Sequence, residues 1–177
     1  MSILTFLGLG SRSKQSSSSE HSDAVREIVD ALDNIDEERA NFIASFGCML
    51  SRVANADQEI APAEIKAMER ILVAQCQLSP EQAALVVKMA KVRNELFGGT
   101  DDFLVTREFR QIASYDQKLA LLDCLFAVSA ACDDVSTVED NQVHQIATEI
   151  GVEHPDFIKV RLAWKDRLSV LKKDKRE

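Results

Sequence analysis

Three carboxylates crowd one short stretch of this chain: Asp57, Glu59 and Glu64, in Ala56-Asp57-Gln58-Glu59-Ile60-Ala61-Pro62-Ala63-Glu64. Carboxylate oxygens are what a hard divalent cation such as calcium binds, provided that backbone carbonyls or water complete the shell. A second acidic stretch further on supplies Asp133, Asp134, Glu139 and Asp140. The same residues also carry a structural reading. Ser136-Thr137-Val138-Glu139 fits a capping box, and Ser79-Pro80-Glu81-Gln82 fits another. Pro62 suits the first position of a helix, which places Glu64 in its first turn, where the helix dipole favours acids. On the residues alone, capping and cation binding both remain open. An EF-hand is excluded: counted from Asp57, such a loop needs oxygen side chains at Ala61 and Met68 and a glycine at Pro62.

The two acidic stretches belong to a loose internal repeat. Leu50 to Glu64 is echoed, 75 positions on, by Leu125 to Glu139. In each copy an apolar run leads to an acidic turn, a β-branched residue (Ile60 or Val135) and a glutamate four residues later. Ile71 falls on Ile146, and Ser79-Pro80-Glu81 falls on His154-Pro155-Asp156. Two helix-turn-helix units of similar build predict one pseudo-symmetric domain, with both acidic turns on one side of it.

Helical periodicity runs through the rest. Val25, Ile28, Val29 and Leu32 keep an i, i+3, i+4, i+7 spacing, and Phe42 to Val53 and Ile65 to Leu72 continue it. A fourth helix is expected from about Pro80 to Leu96, stopped by Gly98-Gly99, and Thr100 should cap a fifth. The segment from about Asp116 to Ala131 is apolar nearly all round, which predicts the centre of the bundle. A seventh helix ends at Gly151, and a last one runs from Phe157 to Leu171. The expectation is all-α, a compact bundle of seven or eight helices, with Trp164, Phe126 and Leu122 mostly buried. Residues 1–22 read as an apolar peptide followed by a flexible serine-rich linker, and residues 23–177 as the helical domain.

Composition narrows the function. The net charge of −8 argues against a nucleic-acid partner, which needs a basic surface. Cys48, Cys76, Cys124 and Cys132 form no Cys-x-x-Cys and lie in apolar contexts, as buried reduced thiols of a cytosolic protein do. Histidines stand only at 21, 144 and 154, none at zinc spacing from a cysteine. No stretch is long enough to span a membrane, and the apolar start has no positive residue ahead of it, so a signal peptide is not expected. Residues 3–9 could still touch a membrane peripherally, the protein's own core, or a partner. No phosphate loop, nucleophile elbow or nucleophile-base pair is present.

Ala56-Asp57-Gln58-Glu59-Ile60-Ala61-Pro62-Ala63-Glu64, with Ile146-Ala147-Thr148-Glu149-Ile150-Gly151-Val152 and the proline-acid helix start after it, resembles the TerB-like family of tellurite-resistance proteins. It is also similar to the N-terminal domain of DjlA-type membrane co-chaperones. The resemblance covers roughly residues 25 to 170. It implies an all-helical domain and a divalent-cation site at Asp57, Glu59 and Glu64, more weakly Asp134 and Glu139. It further implies a non-enzymatic role in tellurite resistance or stress response, exerted through a protein partner. The chain departs from the family pattern at Gln58, where glycine is common, and at Cys132, where an aspartate would align with Asp57; the second departure weakens a site in the second turn. Two other classes stand beside this reading. One is a co-chaperone-like adaptor docked by its N-terminal peptide. The other is a carboxylate-metal hydrolase, although neither turn contains the histidine or lysine such an enzyme adds. His154-Pro155-Asp156 spells the tripeptide of J-domains, but an acidic helix precedes it here instead of a basic one.

Overall fold

The computed structural model describes residues 19–54, 62–76, 78–92, 102–132 and 134–173. Among the described residues the chain forms nine α-helices. They are α1 (Ser19–Asp33), α2 (Glu37–Ala54), α3 (Pro62–Cys76), α4 (Pro80–Lys91), α5 (Asp102–Ile112), α6 (Tyr115–Cys132), α7 (Thr137–Ile150), α8 (His154–Ala163) and α9 (Ser169–Lys173). A 3-10 turn at Lys165–Arg167 separates the last two. The all-α expectation holds, and among these residues no helix is long and apolar enough to cross a membrane. The described part of α1 starts at Ser19, inside the stretch read as linker. The Gly98-Gly99 stop and the Thr100 cap lie outside the described residues.

Local chemistry sets several boundaries. The Ser79 side chain accepts from the Gln82 amide while the Gln82 side chain accepts from the Ser79 amide, so α4 opens on a capping box. α7 closes at Gly151, whose φ of 76° lies in the left-handed region. There the Val152 N–H reaches back to the Ala147 carbonyl at 2.9 Å and satisfies a group the helix end would otherwise orphan.

The core is built on α2 and α6. Phe46, Met49 and Leu50 from α2 are buried with Leu121, Leu122, Leu125 and Phe126 from α6, each fully buried side chain contributing about 1.5–3 kcal/mol. Phe42 and Phe109 bring α2 and α5 together with ring centroids 5.3 Å apart. At Gly47 an added Cβ would lie 3.0 Å from the Cβ of Met89, so a residue without a side chain lets α2 and α4 approach closely.

The repeat is visible in the packing. α4 lies on α2 and α3, and α8 lies on α6 and α7 in the matching way. α3 crosses to α6 while α7 crosses to α2, and α2 and α6 meet each other. These pairings are those of a pseudo-twofold relating α2-α3-α4 to α6-α7-α8. The outer helices break it: α1 packs on α2 and α4, whereas α5 packs on α2 and α7.

One expectation needs correction at the C-terminus. The last helix is not continuous. Its apolar spacing is helical, yet the backbone leaves the helix after Ala163 and pairs with the second acidic turn. The Val135 N–H donates to the Arg167 carbonyl at 2.8 Å, and the Ser169 N–H donates to the Val135 carbonyl at 3.0 Å. This isolated parallel bridge seats Leu168 in the core with no exposure. Trp164 stands at the break and packs against the core, mostly buried as expected though less completely than Phe126 and Leu122. Its indole Nε1–H donates to Asp123 Oδ1 at 2.8 Å, the polar partner that a largely buried tryptophan requires.

Candidate functional site

The acidic turns were the candidate site, and the second can be followed atom by atom. α6 ends at Cys132 and α7 begins at Thr137, so residues 133–136 make the connection, of which Asp133 lies outside the described residues. Ser136 Oγ accepts from the Glu139 N–H at 3.2 Å, and Glu139 Oε2 accepts from the Ser136 N–H at 2.8 Å. Glu139 therefore completes the capping box that its spacing announces.

Asp134 is engaged by the far end of the chain. Lys172 Nζ donates to its two carboxylate oxygens at 2.8 and 2.7 Å, and Arg167 Nε lies 3.5 Å from Oδ1. Arg167 also donates to the carbonyl of Ala130, in the last turn of α6, where the helix dipole favours a cation. The lysine missing from the turn in sequence thus arrives from α9. Asp140 is committed as well: Arg161 of α8 forks onto it with Nε at 2.8 Å and Nη2 at 2.6 Å. The hydrogen bond to Asp140 raises the Arg161 pKa further, against the opposing effect of burial.

Of the first turn, Asp57 and Glu59 lie outside the described residues. Glu64 falls in the first turn of α3, with its side chain also outside them. The flank of this turn is described. Arg52, near the end of α2, donates to Glu149 of α7 through Nη1 at 2.6 Å and Nη2 at 3.1 Å. Gln145 adds a bond to Glu149 at 2.9 Å. With its amide oxygen turned toward Arg52, Gln142 accepts from Nε at 3.1 Å and Nη2 at 3.0 Å. Burial pushes the Glu149 carboxyl up. The Arg52 hydrogen bond and charge, with bonds from Gln145 and Thr106, outweigh burial and hold it below the ordinary 4.5.

This anchor bears on the expectation that both turns share one side. α2 runs out toward the C-terminal end of α7, while the second turn feeds the N-terminal end of the same helix. From Ser136 to Glu149 the helix rises about 20 Å. The described flanks of the two turns are therefore at opposite ends of α7. Among the described residues, no three histidine, cysteine, aspartate or glutamate side chains gather where one metal ion could touch them all. Cys48 and Cys124 are buried thiols.

Sequence reasoning passed over Arg52, Glu149, Arg167 and Lys172. The run of bases after Lys159 in an acidic chain was a signal for Arg167 and Lys172, whereas nothing local marked the pairing of Arg52 with Glu149. No curated protein and no solved structure matches the chain. The family model for tellurite resistance protein TerB matches residues 43–162, a span that includes both acidic turns and every helix of the repeat but for the last residue of α8 and the start of α2. With two thirds of its length under that match, the chain belongs to the TerB family.

Proposed function

We propose that this chain is a non-enzymatic cytoplasmic module of tellurite resistance or stress response. It holds a divalent cation, calcium foremost, at Asp57, Glu59 and Glu64, and it acts through a protein partner. The observation that carries the reading is the TerB match over residues 43–162, which contains all three carboxylates. The state of the second turn supports assigning the ion to the first. Asp134 is neutralised by Arg167 and Lys172, and Glu139 is spent on a helix cap, so a cation at the second turn would have to displace partners already in place. Cys132, where the family pattern has an aspartate, points the same way.

Thermal melts of the full chain with and without calcium, magnesium or zinc test the ion. A ligand that binds only the folded state raises the melting temperature by mass action. The expected result is a rise with calcium that Asp57→Ala abolishes and Asp134→Asn leaves intact. No rise at millimolar ion would leave the acids of the first turn as helix-capping groups. Growth on tellurite of cells lacking the protein, complemented with wild type or Asp57→Ala, tests the role.

A further inference from the structure

Two of the three histidines, ten positions apart in sequence, meet in the fold. His144 lies on α7 and His154 opens α8, ten positions later, and both are exposed to solvent. Their ring centroids are 5.8 Å apart, with the ring planes inclined at 57°. Phe157, one turn into α8 and buried, stacks on His144 at 4.7 Å and 18° and so holds that imidazole in place.

That separation suits a shared metal ion. A ring nitrogen is about 1.2 Å from its centroid and a bound zinc about 2.0–2.1 Å beyond it, so two imidazoles on one ion keep their centroids within about 6.4 Å. A tetrahedral angle at the ion brings them to about 5.2 Å. The observed 5.8 Å falls between these limits. We propose that His144 and His154 form a two-histidine site for a borderline divalent transition metal, namely nickel, copper or zinc, with water in the remaining positions.

The chemistry separates this site from the acidic turns. Imidazole favours the later transition metals, whereas calcium and magnesium take oxygen ligands. The N-terminus of α8 disfavours a cation. Glu153 sits beside His154 as the N-cap residue, its carboxylate making no capping bond, and it offsets that field. A purely structural stack of His144, His154 and Phe157 predicts no ion dependence.

The test is nickel titration of the reduced full chain, followed by calorimetry and by imidazole proton NMR. We expect nickel to bind, His144→Gln and His154→Gln each to weaken it at least tenfold, and His21→Gln and Asp57→Ala to leave it unchanged. Excess calcium should not displace the nickel. If either pair variant loses its fold, the wild type alone decides the matter: paramagnetic nickel should broaden the ring signals of His144 and His154 and spare those of His21. Absence of nickel uptake, equal uptake by the pair variants, or broadening at His21 instead would overturn the site. Calcium binding at Asp57 is a separate measurement, so either site can fail without the other.

Discussion

Arg52 and Glu149 stand 97 positions apart in the chain, yet their side chains meet in a forked ion pair that ties the end of α2 to the last turn of α7. Arg52 keeps 4% of its side-chain exposure and Glu149 17%. Arg52 stands two residues before the described end of α2 at Ala54, on the side of the chain that leads into the first acidic turn.

Arg52→Ala leaves the Glu149 carboxylate half-buried and without its cation, and should cost roughly 2–4 kcal/mol, near the low end for a broken buried pair because Glu149 keeps some water. Chemical denaturation measures this directly. The pH dependence has a defined sign. The Glu149 pKa is depressed, so its contribution is present above its unfolded value and is lost as pH falls from about 4.5 through the folded value. In Arg52→Ala the two effects of Arg52 that lower this carboxyl are gone and only the bonds from Gln145 and Thr106 still oppose burial, so the deficit of the variant should narrow in acid. A constant deficit from pH 7 to 4 would contradict the assignment.

Leu168→Ala should cost about 2–5 kcal/mol, the usual penalty for emptying a leucine site in a core. It should also unfasten the chain end from the second acidic turn, so the Val135 and Ser169 amides should exchange faster with solvent than in wild type. Asp134→Asn removes a pair that is largely exposed and should cost less than about 1 kcal/mol. Hydrogen exchange and melts on both variants separate the backbone bridge from the ion pair as the element that matters.

The Ser136–Glu139 capping box predicts non-additivity. Ser136→Ala should cost about 1 kcal/mol. Glu139→Ala on top of it should add less than it does alone, because each side chain serves the same helix end. Fully additive losses in a double-mutant cycle would mean that Glu139 has a task besides the cap.

Gly151→Ala meets two obstacles at one position. Its φ of 76° is one that a residue with a Cβ adopts only with strain, and the added Cβ would lie 2.8 Å from Arg110 Nε. Arg110 is exposed and can move aside, so the backbone term should dominate, at about 1–2 kcal/mol. A double variant with Arg110→Ala should recover little of the loss.

Tyr115, the single tyrosine, offers a clean titration. Its hydroxyl donates to Asp156 Oδ2 at 2.8 Å, and that bond raises its pKa above 10.0. Ultraviolet absorbance should show a phenol that ionises later than free tyrosine, with Asp156→Asn bringing the transition back down. The raised value means that this bond stabilises the fold below pH 10 and is lost as pH climbs through the folded pKa.

Much of this was legible in the sequence because it is local chemistry. The helix starts at Ser79 and Ser136 and the stop at Gly151 depend on groups within about one turn of each other, so their residue types announce them. The apolar character of α6 placed it at the centre, and the 75-residue echo anticipated the pairing of α2-α3-α4 with α6-α7-α8. The candidate site was legible as residue types alone, since Asp134 and Glu139 look alike in sequence and differ only in what reaches them.

Only the tertiary structure decided what reaches them. Lys172 is 38 positions from Asp134, and nothing within a turn of either residue specifies the meeting. The helical spacing from Phe157 to Leu171 is broken because Leu168 gains a buried site while Arg167 and Ser169 on either side of it make two backbone bonds with Val135, a reward that exists only once α6 and α7 have packed. The meeting of Arg52 with Glu149 near the C-terminal end of α7, and that of His144 with His154, follow from helix crossings in the same way. Residue order fixes which groups each helix carries. Where two helices cross depends on how the whole core fills, and that is a property no single stretch of the chain contains.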